Sequence, residues 1–245
     1  MKKALILETS SPLGGLALIE FSNSFSSPKN VCSREWRQLA SHSEIVTPSI
    51  DSALKETGWL LDNIDYFATG IGPGSFTGIR VSLNVIRSFA YITNKPVHSF
   101  NSLYALALST DRRQGLPIVT LINAHKNMMY GAKYIWNKDR KLKELIPPSS
   151  WTLVKLPELI TKPCLCVGNG FPTYRSQIPQ NLADQLIRDK SQPDEPLVSI
   201  FGTRLFSDLG PENFQGWKTT KALYIRASEA EEQLRKNLLK PLAKI

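Results

Sequence analysis

The sequence predicts an α/β fold with a weak internal repeat. Short apolar runs at residues 3–7 and 16–21 flank a turn rich in Ser, Pro and Gly, which is the pattern of a β-hairpin. A second pair of apolar runs, at residues 117–122 and 128–136, repeats that pattern. Between the two hairpins, a glycine-rich loop leads from an apolar run into a long helical pattern. Together these observations indicate strands and helices that alternate along the chain.

The other elements of the first half follow from hydrophobic spacing and from residues that end helices. Apolar residues at helical spacing stop just before Gly58, which predicts a helix over residues 41–57. The remaining elements predicted in this half are strands at residues 31–38, 66–71 and 96–100 and helices at residues 77–92 and 102–109.

The second half is predicted from shorter patterns. Residues 197–209 are apolar at helical spacing up to Gly210, which predicts a helix. Residues 228–231 match a capping box and predict the start of a final helix. The remaining elements predicted here are short helices near residues 156–160 and 182–187 and a strand at residues 222–226.

A glycine-rich loop occupies residues 72–80, which read Gly-Pro-Gly-Ser-Phe-Thr-Gly-Ile-Arg. Glycine allows close approaches that other residues disfavour, and the N–H groups at a helix start point toward the preceding loop. The segment therefore predicts a tight strand-to-helix turn able to face an anion, with Ser75 or Thr77 as the helix N-cap. Its spacing differs from G-x-G-x-x-G and from loops that end in Lys-Ser/Thr. The candidate anion-binding residues are Gly72, Gly74, Ser75, Thr77 and Gly78.

The helix predicted after this loop carries two apolar stripes. The first consists of Ile79, Leu83, Ile86 and Ala90, and the second of Val81, Val85, Phe89 and Ile92. One stripe can cover a sheet, and the other needs a second helix or another chain, because a helix that is apolar on two sides is unfavourable on a monomer surface. We favour a helix neighbour that continues into a subunit interface, which makes the second stripe the predicted partner surface. Burial of both stripes within one core is the open alternative.

The composition is that of a soluble globular chain without a disulfide framework. Its 245 residues include 30 Lys and Arg against 21 Asp and Glu, and the formal charge of +9 favours anionic partners without identifying nucleic acid. Cys32, Cys164 and Cys166 lack the spacing of a disulfide or zinc framework, which favours buried thiols in a reducing compartment. No run has the length of a signal peptide core or a membrane span. We therefore expect a cytoplasmic protein that does not enter a membrane.

Several segments of the chain resemble a known family. They are residues 5–10, 72–80 and 96–103, supported by residues 122–124, 167–170 and 223–226. Through them the chain resembles the TsaB (YeaZ) family, most specifically at the glycine loop. The resemblance implies an actin-like, sugar-kinase-like (ASKHA) fold of two related lobes, with mixed sheets flanked by helices. It also implies a subunit that pairs with the transferase TsaD, or with itself as a homodimer, in making threonylcarbamoyladenosine at position 37 of tRNAs that read codons beginning with A.

The resemblance also sets the expected organisation and partners. We expect an N-terminal lobe over residues 1–100 with the glycine loop and the pairing helices, a C-terminal lobe over residues 101–227, and a helix over residues 228–245 that packs back on the N-terminal lobe. A TsaE-like ATPase is expected to join through the complex. Contact with tRNA is expected to be indirect or limited to phosphates, because the basic stretches lack interleaved aromatic residues for base stacking.

Candidate catalytic groups are few. The strand ends expected to face the interlobe cleft carry Glu8 and Asn123, and a single acid is a poor metal site, so we expect Glu8 to cap a turn and Asn123 to bond its own loop. The resemblance aligns Ser102 and Leu106 with two metal-binding histidines of TsaD, and neither residue supplies imidazole. We therefore predict a non-catalytic paralogue of TsaD, with no catalytic residue, metal or cofactor of its own.

Two other functional classes remain as alternatives. An active kinase or ATPase of the same fold would place Glu8 and the loop at residues 168–170 around a nucleotide. A peptidase would need an activated nucleophile, but Ser75 lies outside a G-x-S-x-G elbow and no base partner is indicated. The three histidines share no spacing and predict no ligand set; they are His42, His98 and His125.

Overall fold

The computed structural model describes residues 1–37, 41–110, 115–188 and 193–226. Its strands are β1 (Lys2–Glu8), β2 (Leu13–Phe21), β3 (Lys29–Arg37), β4 (Tyr66–Gly70), β5 (Val97–Phe100), β6 (Ile118–Asn123), β7 (Met128–Trp136), β8 (Leu142–Thr152), β9 (Cys164–Val167) and β10 (Leu186–Ile187). Its helices are α1 (His42–Thr57), α2 (Phe76–Thr93), α3 (Ser102–Leu108), α4 (Leu156–Leu159), α5 (Gly170–Tyr174), α6 (Gln180–Ala183) and α7 (Val198–Asp208).

The strands form two five-stranded sheets with the same internal order. The first sheet runs β3-β2-β1-β4-β5, and the second, taken from its opposite edge, runs β8-β7-β6-β9-β10. In each sheet an antiparallel meander of three strands continues through its first strand into two parallel strands. The internal repeat predicted from the two hairpins is therefore a repeated sheet topology.

The helices of the first half begin and end where the sequence predicts. At the start of α1, the Ser41 side chain accepts a hydrogen bond from the backbone N–H of Ser43, and Gly58 ends the helix in the left-handed conformation. At the start of α2, Ser75 Oγ accepts from the N–H of Gly78 at 3.2 Å. Ser75, one of the two N-cap candidates, is thus the residue that caps α2.

Helix α7 connects the second half of the chain to the first sheet. It contacts β1, β2 and β3, and its buried residues Val198, Phe201 and Leu205 belong to one apolar cluster with side chains of β1 and β2. The lobe boundaries at residues 100 and 227 stay a prediction. The helix predicted over residues 228–245 lies outside the described residues.

Two predictions about short elements in the second half are wrong. The helix predicted near residues 182–187 ends at Ala183, and Leu186–Ile187 instead forms the edge strand β10, which pairs with β9. The strand predicted at residues 222–226 is irregular in the structure, because its N–H at Leu223 bonds to Ile71 beside the glycine loop and not to a sheet edge. Tertiary contacts override local propensity at both places.

The sequence predicted buried cysteine thiols and no membrane-spanning segment. Cys32, Cys164 and Cys166 are free and buried, which confirms the predicted buried thiols. Burial raises the pKa of the Cys164 thiol to about 11 and also raises the pKa of Cys166. Across the described ranges, no helix combines the length and the apolar character needed to traverse a bilayer.

Candidate functional site

The glycine loop packs tightly against the end of β1. Gly72 has φ of 96°, in the left-handed region that glycine favours. The N–H of Ser75 donates to the carbonyl of Ser10 at 2.6 Å, and Thr9 Oγ1 donates to the carbonyl of Gly78 at 2.8 Å. A Cβ atom on Gly78 would overlap the carbonyl oxygen of Thr9. The small residues of this loop therefore serve a close contact between α2 and β1.

The candidate anion-binding residues are partly committed to these contacts. The N–H of Ser75 bonds to the Ser10 carbonyl just after β1, and its Oγ caps α2. Thr77 is exposed and lines a cleft of about 200 Å³ together with Gly78, Ser11 and His42. Anion binding at the start of α2 therefore stays a prediction, and Thr77 is the side chain best placed for it.

Glu8, at the end of β1, lies in a closed polar network. Its Oε1 accepts from the N–H of Ser10 at 2.6 Å, and its Oε2 accepts from Ser102 Oγ at 3.1 Å. Ser10 Oγ in turn donates to Ser102 Oγ at 2.8 Å. The Glu8 side chain is 1% exposed, and burial raises the pKa of its carboxyl group even though these hydrogen bonds oppose the rise. The predicted turn-capping role of Glu8 is confirmed.

Asn123 occupies the corresponding position at the end of β6. Its Oδ1 accepts from the N–H of His125 at 2.8 Å and from the Tyr174 hydroxyl at 2.9 Å. Its own N–H donates to Asn169 Oδ1 at 2.8 Å. The predicted bond between Asn123 and its own loop is therefore confirmed. Asn169, in the loop that a nucleotide-binding function would use, is engaged in holding this turn.

The two positions that the resemblance aligns with metal ligands are part of the protein core. Ser102 begins α3 and Leu106 lies one turn later, and both are 0% exposed. Ser102 is bonded to Glu8, whereas Leu106 belongs to an apolar cluster. A hydroxyl group that is already bonded and an aliphatic side chain do not fit a metal ion. Within the described residues, no group of three or more His, Cys, Asp and Glu is arranged to hold a metal.

The three histidines lie at separate places. His42 Nε2 donates to the carbonyl of Ser11 at 2.8 Å, and His98 Nδ1 donates to the carbonyl of Asn213 at 3.0 Å. Burial lowers the pKa of His98, which favours its neutral form. His125 lies in the turn after β6 with φ of 59°. The structure does not bring these histidines together.

A cleft separates the glycine loop from the turn between β6 and β7. It has two adjoining parts of about 410 Å³ and about 430 Å³, and residues 223–226 line the second. The N–H of Leu223 donates to the carbonyl of Ile71 at 2.8 Å, and Arg226 Nη1 donates to the carbonyl of Ala124 at 3.0 Å. This segment therefore bridges the two sides of the cleft.

Helix α2 carries both predicted stripes. The first stripe is buried against the sheet, with Ile79, Leu83, Ile86 and Ala90 at most 6% exposed. In the second stripe, Val81, Val85 and Phe89 are half-buried and share an apolar cluster with residues of α1. Ile92, at the end of the same stripe, is 71% exposed. The second stripe thus has the predicted helix neighbour, and its continuation into a subunit interface stays a prediction.

The buried carboxyl group of Glu8 predicts a pH-dependent stability. Because the pKa of Glu8 is raised in the folded protein, the native state binds this proton more tightly than the unfolded chain does. The contribution of Glu8 to stability therefore falls as the pH rises above its ordinary pKa of 4.5 toward the raised value, by about 1.4 kcal/mol for each pKa unit of the rise. In Glu8→Gln, the amide can bond to Ser10 and Ser102 without ionising. We expect the stability of this variant relative to wild type to increase with pH across that window in urea unfolding, and a difference that is constant with pH contradicts the assignment.

Comparison with known proteins decides the family. A family model described as TsaD, tRNA N6-adenosine threonylcarbamoyltransferase, matches residues 38–184, which is more than half of the chain. The chain belongs to this family. The matched range includes the glycine loop at residues 72–80, the segment that carries the resemblance most specifically.

Several individual relatives of the chain are TsaB proteins. The TsaB protein of Haemophilus influenzae is 33% identical over 100 residues, which cover 40% of this chain and 42% of that protein. The TsaB protein of Bacillus subtilis is 24% identical over 140 residues, which cover 56% of this chain and 60% of that protein. The chain therefore matches about half of the length of these TsaB relatives.

A solved structure confirms the fold. YeaZ from Pseudomonas aeruginosa superposes with a TM-score of 0.68 at 22% identity, over 91% of this chain and 100% of that chain. The YeaZ fold and the two mixed sheets of repeated order confirm the predicted two-part ASKHA architecture.

Proposed function

We propose that the chain is a non-catalytic partner subunit in the formation of N6-threonylcarbamoyladenosine at position 37 of tRNAs that read codons beginning with A, where it binds and activates a TsaD-like transferase. The observation that carries this proposal is the burial of Ser102 and Leu106 at the positions aligned with the metal histidines of the transferase. A family member whose metal positions are core side chains retains the fold without the metal-dependent chemistry. The relatives from H. influenzae and B. subtilis are named tRNA threonylcarbamoyladenosine biosynthesis proteins, which supports the pathway.

The second stripe of α2 is the proposed surface for the transferase. Ile92 is 71% exposed at one end of it, and Leu60, which precedes a short helical turn that contacts α2, is 67% exposed. Ile92 continues the half-buried apolar side chains of this stripe, and a contiguous apolar patch favours burial against another chain. A homodimer through the same stripe is the alternative pairing, and a TsaE-like ATPase would join through the transferase.

The kinase or ATPase alternative needs groups that are already engaged. Glu8 accepts hydrogen bonds through both carboxylate oxygens, and Asn169 accepts from the backbone of Asn123. These contacts occupy both carboxylate oxygens of Glu8 and the amide oxygen of Asn169. They support a subunit that leaves nucleotide chemistry to its partners.

A binding experiment with purified components tests the proposal. We expect the chain to co-elute with the TsaD-like transferase of the same organism on size-exclusion chromatography. Calorimetry with ATP and Mg²⁺ is expected to give no heat of binding for the chain alone. Stoichiometric ATP binding by the isolated chain, together with no complex, would instead favour the kinase or ATPase alternative.

A further inference from the structure

One face of the molecule combines positive charge with aromatic rings. No Asp or Glu occurs from residue 66 to 110, a range that includes all of α2, or from residue 213 to 226. These two stretches are neighbours in space, because the turn Trp217–Thr219 contacts α2 and the Tyr224 ring lies 4.8 Å from the Phe76 ring between centroids. Their juxtaposition gives an extended surface to which neither stretch contributes an acidic side chain.

The side of α2 that meets residues 217–224 is distinct from both apolar stripes. We call it the basic–aromatic stripe, and it consists of Phe76, Arg80, Asn84, Arg87 and Tyr91. These residues recur at intervals of three and four, so they share one side of the helix. At about 100° per residue, this side lies roughly a third of a turn from the second apolar stripe. A protein bound to that stripe and a ligand bound to this one would therefore contact different side chains.

A cluster of cations and rings lies at the C-terminal end of this stripe. The Tyr91 and Trp217 rings meet edge to face at 5.2 Å, and Arg87 Cζ and Lys218 Nζ lie 5.7 Å and 5.5 Å from the Trp217 ring centre. Tyr91 is nevertheless 66% exposed. An open groove of about 350 Å³ adjoins this cluster, and its lining is Asn84, Arg87, Ser88, Tyr91 and Trp217.

A second cluster lies near the start of α2. Arg80 Cζ is 3.9 Å from the centre of the Phe76 ring, and Arg80 Nε donates to the Tyr224 hydroxyl at 3.3 Å. Arg80 and Tyr91 are separated by about 16 Å along the helix axis, at 1.5 Å per residue. Two arginine–aromatic clusters therefore follow one another along the same side of α2.

We propose that this face binds a short unpaired segment of RNA. Arg80, Arg87 and Lys218 supply positive charge for phosphates, and the exposed ring of Tyr91 supplies a surface on which a base can stack. Asn84 and Ser88 supply hydrogen-bonding groups in the adjoining groove. Charge complementarity selects an anionic ligand, and the exposed ring favours an unpaired strand over a duplex, because duplex bases already stack on one another.

The proposal differs from the sequence-based expectation that tRNA contact is indirect or limited to phosphates. The rings at Trp217 and Tyr224 come from a segment distant from α2, so no single basic stretch displays them. Only the choice of RNA over DNA rests on the proposed function. The site itself rests on the charge and exposure of this face.

Fluorescence anisotropy with a labelled single-stranded RNA of about 12 nucleotides tests the proposal, within the site sizes known for such surfaces. The patch variant is Arg87→Glu/Lys218→Glu. The matched control is Lys138→Glu/Lys141→Glu, which makes the same change of net charge in an exposed turn after β7. We expect the patch variant to lose about tenfold or more in affinity and the salt slope of log K to decrease in magnitude by about 1.4, with the control close to wild type.

Stacking is tested separately at Tyr91. We expect Tyr91→Ala to weaken RNA binding about fivefold or more without changing the salt slope, because a neutral ring is removed, and Tyr91→Phe to retain the wild-type affinity. Circular dichroism of each variant verifies that the chain remains folded.

Several outcomes would overturn the proposal. Equal weakening by the patch and control variants would mean that net charge alone governs RNA binding. No binding of RNA by the wild-type chain would show that this face is not an RNA site. Tighter binding of single-stranded DNA of the same sequence would contradict the choice of RNA. If the patch variant loses the transferase but keeps its RNA affinity, the face belongs to a protein interface. Failure of the proposed function shows separately, as the absence of a transferase complex, and leaves the RNA result interpretable.

Discussion

Replacing Gly78 with alanine is expected to destabilise the folded chain by about 3 kcal/mol, at the upper end of the usual cost of overpacking. A Cβ at this position would overlap the backbone carbonyl oxygen of Thr9, and a backbone atom cannot rotate out of the way. The same close contact carries the bond from Thr9 Oγ1 to the Gly78 carbonyl and lies beside the bond from Ser75 to Ser10. The new methyl group therefore separates α2 from the end of β1. Urea unfolding followed by circular dichroism measures the loss.

Gly216→Ala is the matched control for this substitution. Gly216 has φ of −67°, and a Cβ there would meet nothing within 4 Å. We expect this variant to be as stable as wild type or more stable by about 0.4–1 kcal/mol, because alanine restricts the unfolded chain. Similar destabilisation by both substitutions would show that the contact between the glycine loop and β1 has no special role.

Ile92→Asp is expected to weaken pairing with a TsaD-like transferase by about 30-fold or more while the chain stays folded. Ile92 is 71% exposed, so an aspartate costs the isolated chain little. In a partner interface the same carboxylate would be desolvated without a counter-charge, a penalty of the size seen at interface hot spots. Calorimetric titration of the transferase with the variant measures the affinity.

Two further sets of variants separate pairing from folding. Asn84→Asp adds the same charge on another side of α2 and is expected to pair like wild type. Val85→Asp and Phe89→Asp are expected to destabilise the chain as well, since both side chains pack in the cluster shared with α1 and the Phe89 ring lies 6.2 Å from that of Phe67. Unchanged transferase affinity in Ile92→Asp would exclude this end of the second stripe from the interface.

Strand β8 shows where local sequence signals are insufficient. Pro147 and Pro148 lie within it, and prolines disfavour a strand in a sequence pattern. Among the described strands β8 is an edge strand whose one partner is β7, and its register shifts near Gly131 and Lys133. An edge position tolerates missing N–H groups on its open side. The sequence does not reveal which strand will be at an edge, because that depends on the topology of the whole sheet.

The glycine loop was predictable as a turn, but its contact was not. The spacing of its glycines and the helical pattern after it predict the change from β4 to α2. Its partners Thr9 and Ser10 are far away in the chain, since Thr9 and Gly78 are 69 positions apart. The bond between Ser10 and Ser102 spans 92 residues. Contacts of this kind depend on the pairing of β1 with β4, which no local window contains.

Of the two candidate surfaces on α2, one was predictable from the sequence and the other was not. The two apolar stripes of α2 follow from helical periodicity alone, and their unequal burial follows from the position of α1. The basic–aromatic stripe depends on residues 217–224 lying along α2, so its rings and cations are distributed over distant parts of the sequence. The part of this stripe that lies on α2 was predictable, because the sequence has no Asp or Glu between residues 66 and 110.

We propose that this chain acts by enabling a transferase and not by its own chemistry. The most direct measurement of this role is the threonylcarbamoyladenosine formed on an unmodified tRNA transcript by the purified TsaD-like transferase and TsaE-like ATPase, given an activated threonylcarbamoyl donor, with and without the chain. We predict that modification requires the chain together with the transferase, and that the chain without the transferase forms none. Equal modification in the absence of the chain, or modification by the chain alone, would contradict this role.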